Sequence, residues 1–111
     1  MYSFRLQDDE LILKKGMANL ENETTHLTGA FYLTTSRLVF IGYLVDSTQK
    51  FIDEAAFAQI SEIRPEKTFG LLSNVLRIIR NDGSNIKILI KQRDSWLTEI
   101  REQMEKMGFD F

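Results

Sequence analysis

Cysteine is absent from the 111 residues, which excludes disulfides and thiolate chemistry. Histidine is almost absent: His26 stands alone in a polar stretch. A metal site needs convergent ligands. Glu21, Glu23 and His26 could converge only through the shape of one loop, so no metal and no cofactor is expected. No P-loop, dinucleotide fingerprint, nucleophile elbow or Cys/His pair occurs. The paired carboxylates Asp8-Asp9 and Asp53-Glu54 have no general-acid context and read as solvated. No catalytic residue, no enzyme activity and no small-molecule substrate is expected. Long apolar runs are missing too. None approaches membrane-spanning length, and the opening residues lack the apolar core of a signal peptide, so a cytoplasmic location is expected. Nor does one sign of charge dominate. Fourteen Lys and Arg against sixteen Asp and Glu give a net charge of −2 and a pI near 5.4. Nucleic acid usually selects a basic domain, so it is not an expected partner.

What is present reads as one globular domain with a single core, covering 1–111, because 43% hydrophobic and 27% charged residues are ordinary for such a chain. The pattern centres on Gly29 to Tyr43. Two runs rich in aromatic and β-branched residues, Ala30 to Leu33 and Leu38 to Tyr43, flank the short break Thr34 to Arg37. That is the signature of an antiparallel hairpin. Phe31 and Leu33 on one strand can meet Leu38 and Phe40 across the turn.

The rest of the chain reads mostly as short strands. Tyr2, Phe4 and Leu6 alternate with polar residues and predict a leading strand over 2–7. Leu11 to Leu20 predicts a longer strand with a bulge or kink at Gly16. Phe51 to Ile63 mixes strand and helix signals. It is read as a strand around Phe51, a turn near Ala58-Gln59 and a strand from Ser61 to Glu66. Pro65, the single proline, belongs at a strand end or edge. Asp82-Gly83 between Val75–Arg80 and Ile86–Lys91 predicts a second hairpin. A helix follows over about 94–107. Asp94 serves as its N-cap, Trp96, Ile100, Met104 and Met107 form its apolar stripe, and Gly108 ends it. Strands over about 2–91 and one terminal helix predict a mainly β fold, in which about seven antiparallel strands curl into a barrel capped by that helix.

The hairpin resembles the Gly-x-Leu-Tyr-Leu-Thr-x-x-Arg-Leu-x-Phe pattern of GRAM domains, members of the pleckstrin-homology superfold. Gly29, Tyr32, Leu33, Thr34, Arg37, Leu38 and Phe40 match it, with Phe31 in place of the commoner leucine. Glu10 to Leu20, with Gly16, Ala18 and Asn19, resembles the opening strand of bacterial members. Phe57, Ile60 and Ile63 resemble the strand before the family's apolar loop. Asp82-Gly83, Arg93 and Trp96 resemble the closing hairpin and helix. The resemblance covers nearly the whole chain and implies a non-catalytic module of membrane or protein association. Phosphoinositide-binding pleckstrin-homology domains carry basic residues on the first two strands and their loop. Lys14 and Lys15 fit that pattern, whereas the acidic loop Glu21 to His26 and the uncharged strand Ala30 to Leu33 do not.

Two sets of residues are candidates for contact. Lys67 beside Phe69, Leu71 and Leu72 joins a cation to apolar side chains, a pairing that suits a membrane interface; a loop folded back over the barrel is the other reading. Arg77, Arg80, Lys87 and Lys91 on the closing hairpin form either a basic patch for anionic lipid or an acidic peptide or a solvated outer face. Strict alternation turns Tyr32, Val39, Ile41 and Tyr43 to the outside. That apolar band needs a cover: a second copy, another protein, or the chain's own first strand or tail. The expected function is therefore a cytoplasmic, non-catalytic binding module in peripheral association with membrane lipid. The alternative is a protein-interaction or self-association scaffold without lipid binding.

Overall fold

The computed structural model describes residues 3–22, 26–43, 49–67 and 74–109. Seven strands and one α-helix follow one another: β1 Ile12–Glu21, β2 His26–Thr34, β3 Arg37–Tyr43, β4 Lys50–Ala56, β5 Ile60–Glu66, β6 Val75–Arg80, β7 Asn85–Leu89 and α1 Arg93–Lys106. A single turn of 3-10 helix, Phe57–Gln59, joins β4 to β5. The strands form one curled antiparallel sheet in the order β4-β3-β2-β1-β7-β6-β5. Its edges are β4 and β5. Pro65 lies on the edge strand β5, where its missing N–H costs no ladder bond.

The central hairpin pairs Phe31 with Phe40 and Leu33 with Leu38, and all four enter the main core. Gly29 pairs with Gly42 across the β2–β3 ladder. A Cβ on Gly29 would lie 1.9 Å from the Ile41 carbonyl oxygen, so no other residue fits. The helix covers the opening of the curl and buries Trp96, Leu97, Ile100 and Met104. Trp96 stacks obliquely on Phe31, with ring centroids 5.1 Å apart.

Several local expectations change. The irregularity in β1 falls between Ile12 and Lys14, while Gly16 pairs regularly with Phe31. Gly16 is needed for another reason: a Cβ would come within 2.9 Å of the Trp96 ring. The helix N-cap is Gln92, in a left-handed conformation with φ 58° and without a side-chain cap bond. Asp94 lies in the first turn, and its carboxylate bonds the Arg93 guanidinium at 2.7 Å. Met107 is the C-cap residue and half exposed, and Leu97 takes its place in the buried stripe. Gly108, at φ 89°, donates to Glu105, and Phe109 donates to Met104. This is the glycine-terminated motif expected at a helix end, and it places Phe109 edge-on against Phe57.

Residues 3–10 are not a strand. Their backbone groups are taken by side chains instead of a ladder. The Arg5 carbonyl accepts from Arg37 Nη2 at 2.8 Å, and the Gln7 N–H donates to Glu10 Oε1 at 2.8 Å. This segment lies on the outer face of the central hairpin. Tyr32 is 2% exposed, and Val39 and Ile41 are 0% exposed. With Ala30 they form a second buried cluster, against which Phe4 packs. Phe4 meets Tyr32 edge-on at 4.9 Å. Thus the apolar band that alternation turns outward is covered within the chain, and Tyr32, Val39 and Ile41 offer no open surface to a partner. Tyr43, at the end of β3, is half-buried.

Replacing Trp96 by alanine removes the ring that fills the opening between β1 and α1. We expect a loss of about 3–5 kcal/mol, as for other buried large aromatics. A denaturant midpoint close to that of the wild type would contradict this packing.

Candidate functional site

Three structural facts sort the candidate cations. First, Arg77, Arg80 and Lys87 all have carboxylate partners. Arg77 Nε lies 2.9 Å from Glu66, Arg80 Nη1 lies 2.8 Å from Asp53, and Lys87 Nζ lies 3.1 Å from Glu21. The Arg77 guanidinium holds the Glu66 carboxyl below the usual carboxylate range. Arg80 also donates to the Glu54 carbonyl at 2.9 Å, which ties the second hairpin to β4. These side chains are half-buried, and each works first as a cross-strand link.

Second, Lys67 and Lys91 are exposed and have no carboxylate partner among the described residues. They emerge at one end of the sheet. Glu66, the last residue of β5, pairs with Val75, and Val75 pairs in turn with Leu89 near the end of β7. The Ile90 N–H then donates to the Asn74 carbonyl at 2.8 Å. Lys67, Asn74 and Lys91 therefore leave the sheet side by side. Phe69, Leu71 and Leu72, on the connection between Lys67 and Asn74, lie outside the described residues.

Third, the cations of β1 divide. Lys14 forms an ion pair with Glu99 and sits 4.9 Å from the centre of the Trp96 ring. Lys15 is exposed on the opposite face, 5.5 Å from the centre of the Tyr32 ring. His26 is exposed, with Nδ1 3.4 Å from Glu21 Oε2; Glu23 lies outside the described residues. No group of three or more His, Cys, Asp or Glu among the described residues is placed to hold a metal.

A groove of about 440 Å³ opens beside Lys91. It forms where β1 leaves β7. The two strands pair only from Asn19 to Glu21; below that, Met17 and Ala18 face Ile90 and Lys91 across a gap. Met17 is 57% exposed. Sequence reasoning missed this place. Met17 reads as an ordinary strand residue, and Asn74 lies at the end of an apolar loop with no motif around it.

The motif of the central hairpin explains itself at Thr34 and Arg37. The Thr34 hydroxyl accepts the N–H groups of Ser36 and Arg37 at 3.2 and 3.0 Å, closing the turn, and donates to Glu10 Oε2 at 2.6 Å. Arg37 grips the same carboxylate with Nε at 2.7 Å and Nη2 at 2.9 Å. Its Nη1 reaches Glu54 at 2.8 Å, and its guanidinium lies 5.1 Å from the centre of the Phe4 ring. The spacing of this motif thus serves a buried structural tie.

The profile of the GRAM domain matches residues 1–108. The chain belongs to the GRAM domain family. Solved structures agree on the fold of this GRAM domain. The Vps36 N-terminal PH domain superposes with a TM-score of 0.69 at 13% identity, covering 96% of this chain and 87% of that one. The hSac2 domain from human phosphoinositide phosphatase Sac2 gives 0.71 at 17% identity, covering 95% and 76%. The C-terminal domain of an unknown protein from Leishmania infantum gives 0.72 at 16% identity, covering 87% and 86%. Identities this low establish the fold alone. No curated protein sequence matches significantly. GRAM and pleckstrin-homology-like domains are typically membrane- or lipid-binding modules and generally non-catalytic. Among the described residues, no helix is long and apolar enough to cross a membrane.

The buried tie carries a pH signature. Hydrogen bonds from Arg37, with those from Thr34 and Gln7, hold Glu10 at about 2 against a usual 4.5. The folded-state value is depressed, so the stabilisation is complete above pH 4.5 and is lost as pH falls toward 2. It is worth about 3 kcal/mol. Glu10→Gln should be less stable at pH 7 and should lose less on acidification through that window. Equal acid sensitivity of the two proteins would place the effect elsewhere.

Proposed function

We propose that this GRAM domain is a peripheral, non-catalytic module that associates with anionic membrane lipid. The contact is the sheet end bearing Lys67, Lys91 and the intervening Phe69, Leu71 and Leu72. One observation supports this end over the rest of the second hairpin: Lys67 and Lys91 are exposed without a carboxylate partner among the described residues, whereas Arg77, Arg80 and Lys87 are held by Glu66, Asp53 and Glu21. A lysine with no neighbouring carboxylate to offset its charge is attracted to a negative surface, each such residue contributing about 1 kcal/mol. Two such residues give weak binding alone. The apolar side chains between them supply the rest, because burying each yields roughly 1.5–3 kcal/mol.

Co-sedimentation with vesicles tests this. The wild type should bind vesicles containing an anionic lipid and not neutral phosphatidylcholine vesicles, and salt should weaken binding. Lys67→Glu with Lys91→Glu should reduce binding strongly, and serine at Phe69, Leu71 and Leu72 should abolish it, with folding spared in both. A well-folded triple-serine protein that partitions like the wild type would remove this loop from the contact. Failure of the wild type to bind any anionic vesicle would overturn the function.

A further inference from the structure

We infer that the groove between β1 and β7 receives a single phospholipid whose phosphodiester headgroup carries free hydroxyl groups, phosphatidylglycerol being the simplest. The inference rests on the membrane function proposed above and names the lipid class.

Two independent features define the occupant. The first is charge. The groove ends at Lys91, with Lys67 leaving the same end of the sheet and Lys15 two residues from Met17 on β1. All three are exposed without a carboxylate partner among the described residues. They are separate point charges, while the guanidinium forks of the adjoining hairpin, Arg77 and Arg80, are occupied by carboxylates. Separate ammonium groups suit a single phosphodiester charge, and the hairpin's guanidinium forks, which would grip a clustered phosphomonoester bidentately, are already taken.

The second is a missing hydrogen bond. Asn74 is half-buried and lines the groove, and its Oδ1 is buried without a hydrogen-bond partner among the described residues. Such an acceptor is costly to leave unmade. Turning the amide toward the groove lets Oδ1 accept from a donor bound there. A choline headgroup has no O–H or N–H to give, whereas a glycerol headgroup has two hydroxyls. The apolar wall of Met17 and Ile90 faces the less polar glycerol-ester part of the lipid, and methionine adapts readily to an irregular apolar surface.

The experiment compares phosphatidylcholine vesicles carrying equal mole fractions of phosphatidylglycerol or phosphatidylmethanol. The second lipid has the same single charge and no hydroxyl. Wild-type protein should prefer phosphatidylglycerol by about fivefold, the worth of one hydrogen bond. Asn74→Leu should erase the preference and keep the phosphatidylmethanol affinity. Equal binding of both lipids by the wild type would overturn this inference and leave the membrane function standing; binding to neither would overturn both. A wild-type measurement covers the case in which Asn74→Leu fails to fold. Short-chain phosphatidylglycerol should shift the Asn74 side-chain amide NMR signals more than short-chain phosphatidylmethanol does. Shifts of equal size from the two lipids, or as large from free glycerol phosphate, would refute the lipid assignment.

Discussion

The structure depends on one buried ion pair. Arg37 and Glu10 have side chains 8% and 1% exposed and share two hydrogen bonds. A buried pair of this kind repays its desolvation only when the remaining polar atoms are also satisfied. Here they are. Thr34 and Gln7 complete the carboxylate, while Glu54 and the Arg5 carbonyl complete the guanidinium. The pair therefore fastens three elements: the segment 3–10, the β2–β3 turn and β4. It also holds Phe4 against the outer face of β2 and β3, so that Ala30, Tyr32, Val39 and Ile41 are buried. Without the tie, this sheet would present an apolar face to water.

That arrangement directs where function can lie. The inner apolar face is buried under α1, and the part of the outer face formed by Ala30, Tyr32, Val39 and Ile41 is buried with Phe4 packed on it, while Met17 and Ile52 beside it on β1 and β4 stay exposed. The arginines of the second hairpin are spent on cross-strand carboxylates. The sheet end where β5 and β7 finish and β6 begins combines cations without a carboxylate partner among the described residues, a groove and an unmatched acceptor. The membrane reading follows from this distribution of commitments, since the total charge of −2 gives no hint of it.

Most of the fold was legible in the sequence because its signals are local. Alternation in β2 and β3, the Asp82-Gly83 turn and the Trp96 stripe need no knowledge of distant partners. Two of the errors share a cause: a side chain from far along the chain decided the local outcome. The alternation of Phe4 and Leu6 predicts a strand, yet Arg37 takes the Arg5 carbonyl and the segment stays irregular. Gly16 suggests a bulge, yet its reason is the Trp96 ring, eighty residues later in the chain. Asp94 has the right chemistry for an N-cap, yet Arg93 occupies its carboxylate. The candidate site was partly legible. Lys67 and Lys91 stand out by charge, but their availability depends on pairings elsewhere, and nothing near Asn74 marks its unmatched oxygen.

The central claim is that this domain meets a membrane with the end of the sheet, while the face of β2 and β3 stays sealed under the N-terminal segment. Hydrogen–deuterium exchange on and off phosphatidylglycerol vesicles tests it most directly. The account predicts added protection in peptides spanning 67–75 and 89–92, with residues 3–10 and the β2–β3 hairpin unchanged. Protection confined to residues 3–10 and 30–43, or loosening of that segment on the vesicle, would contradict it.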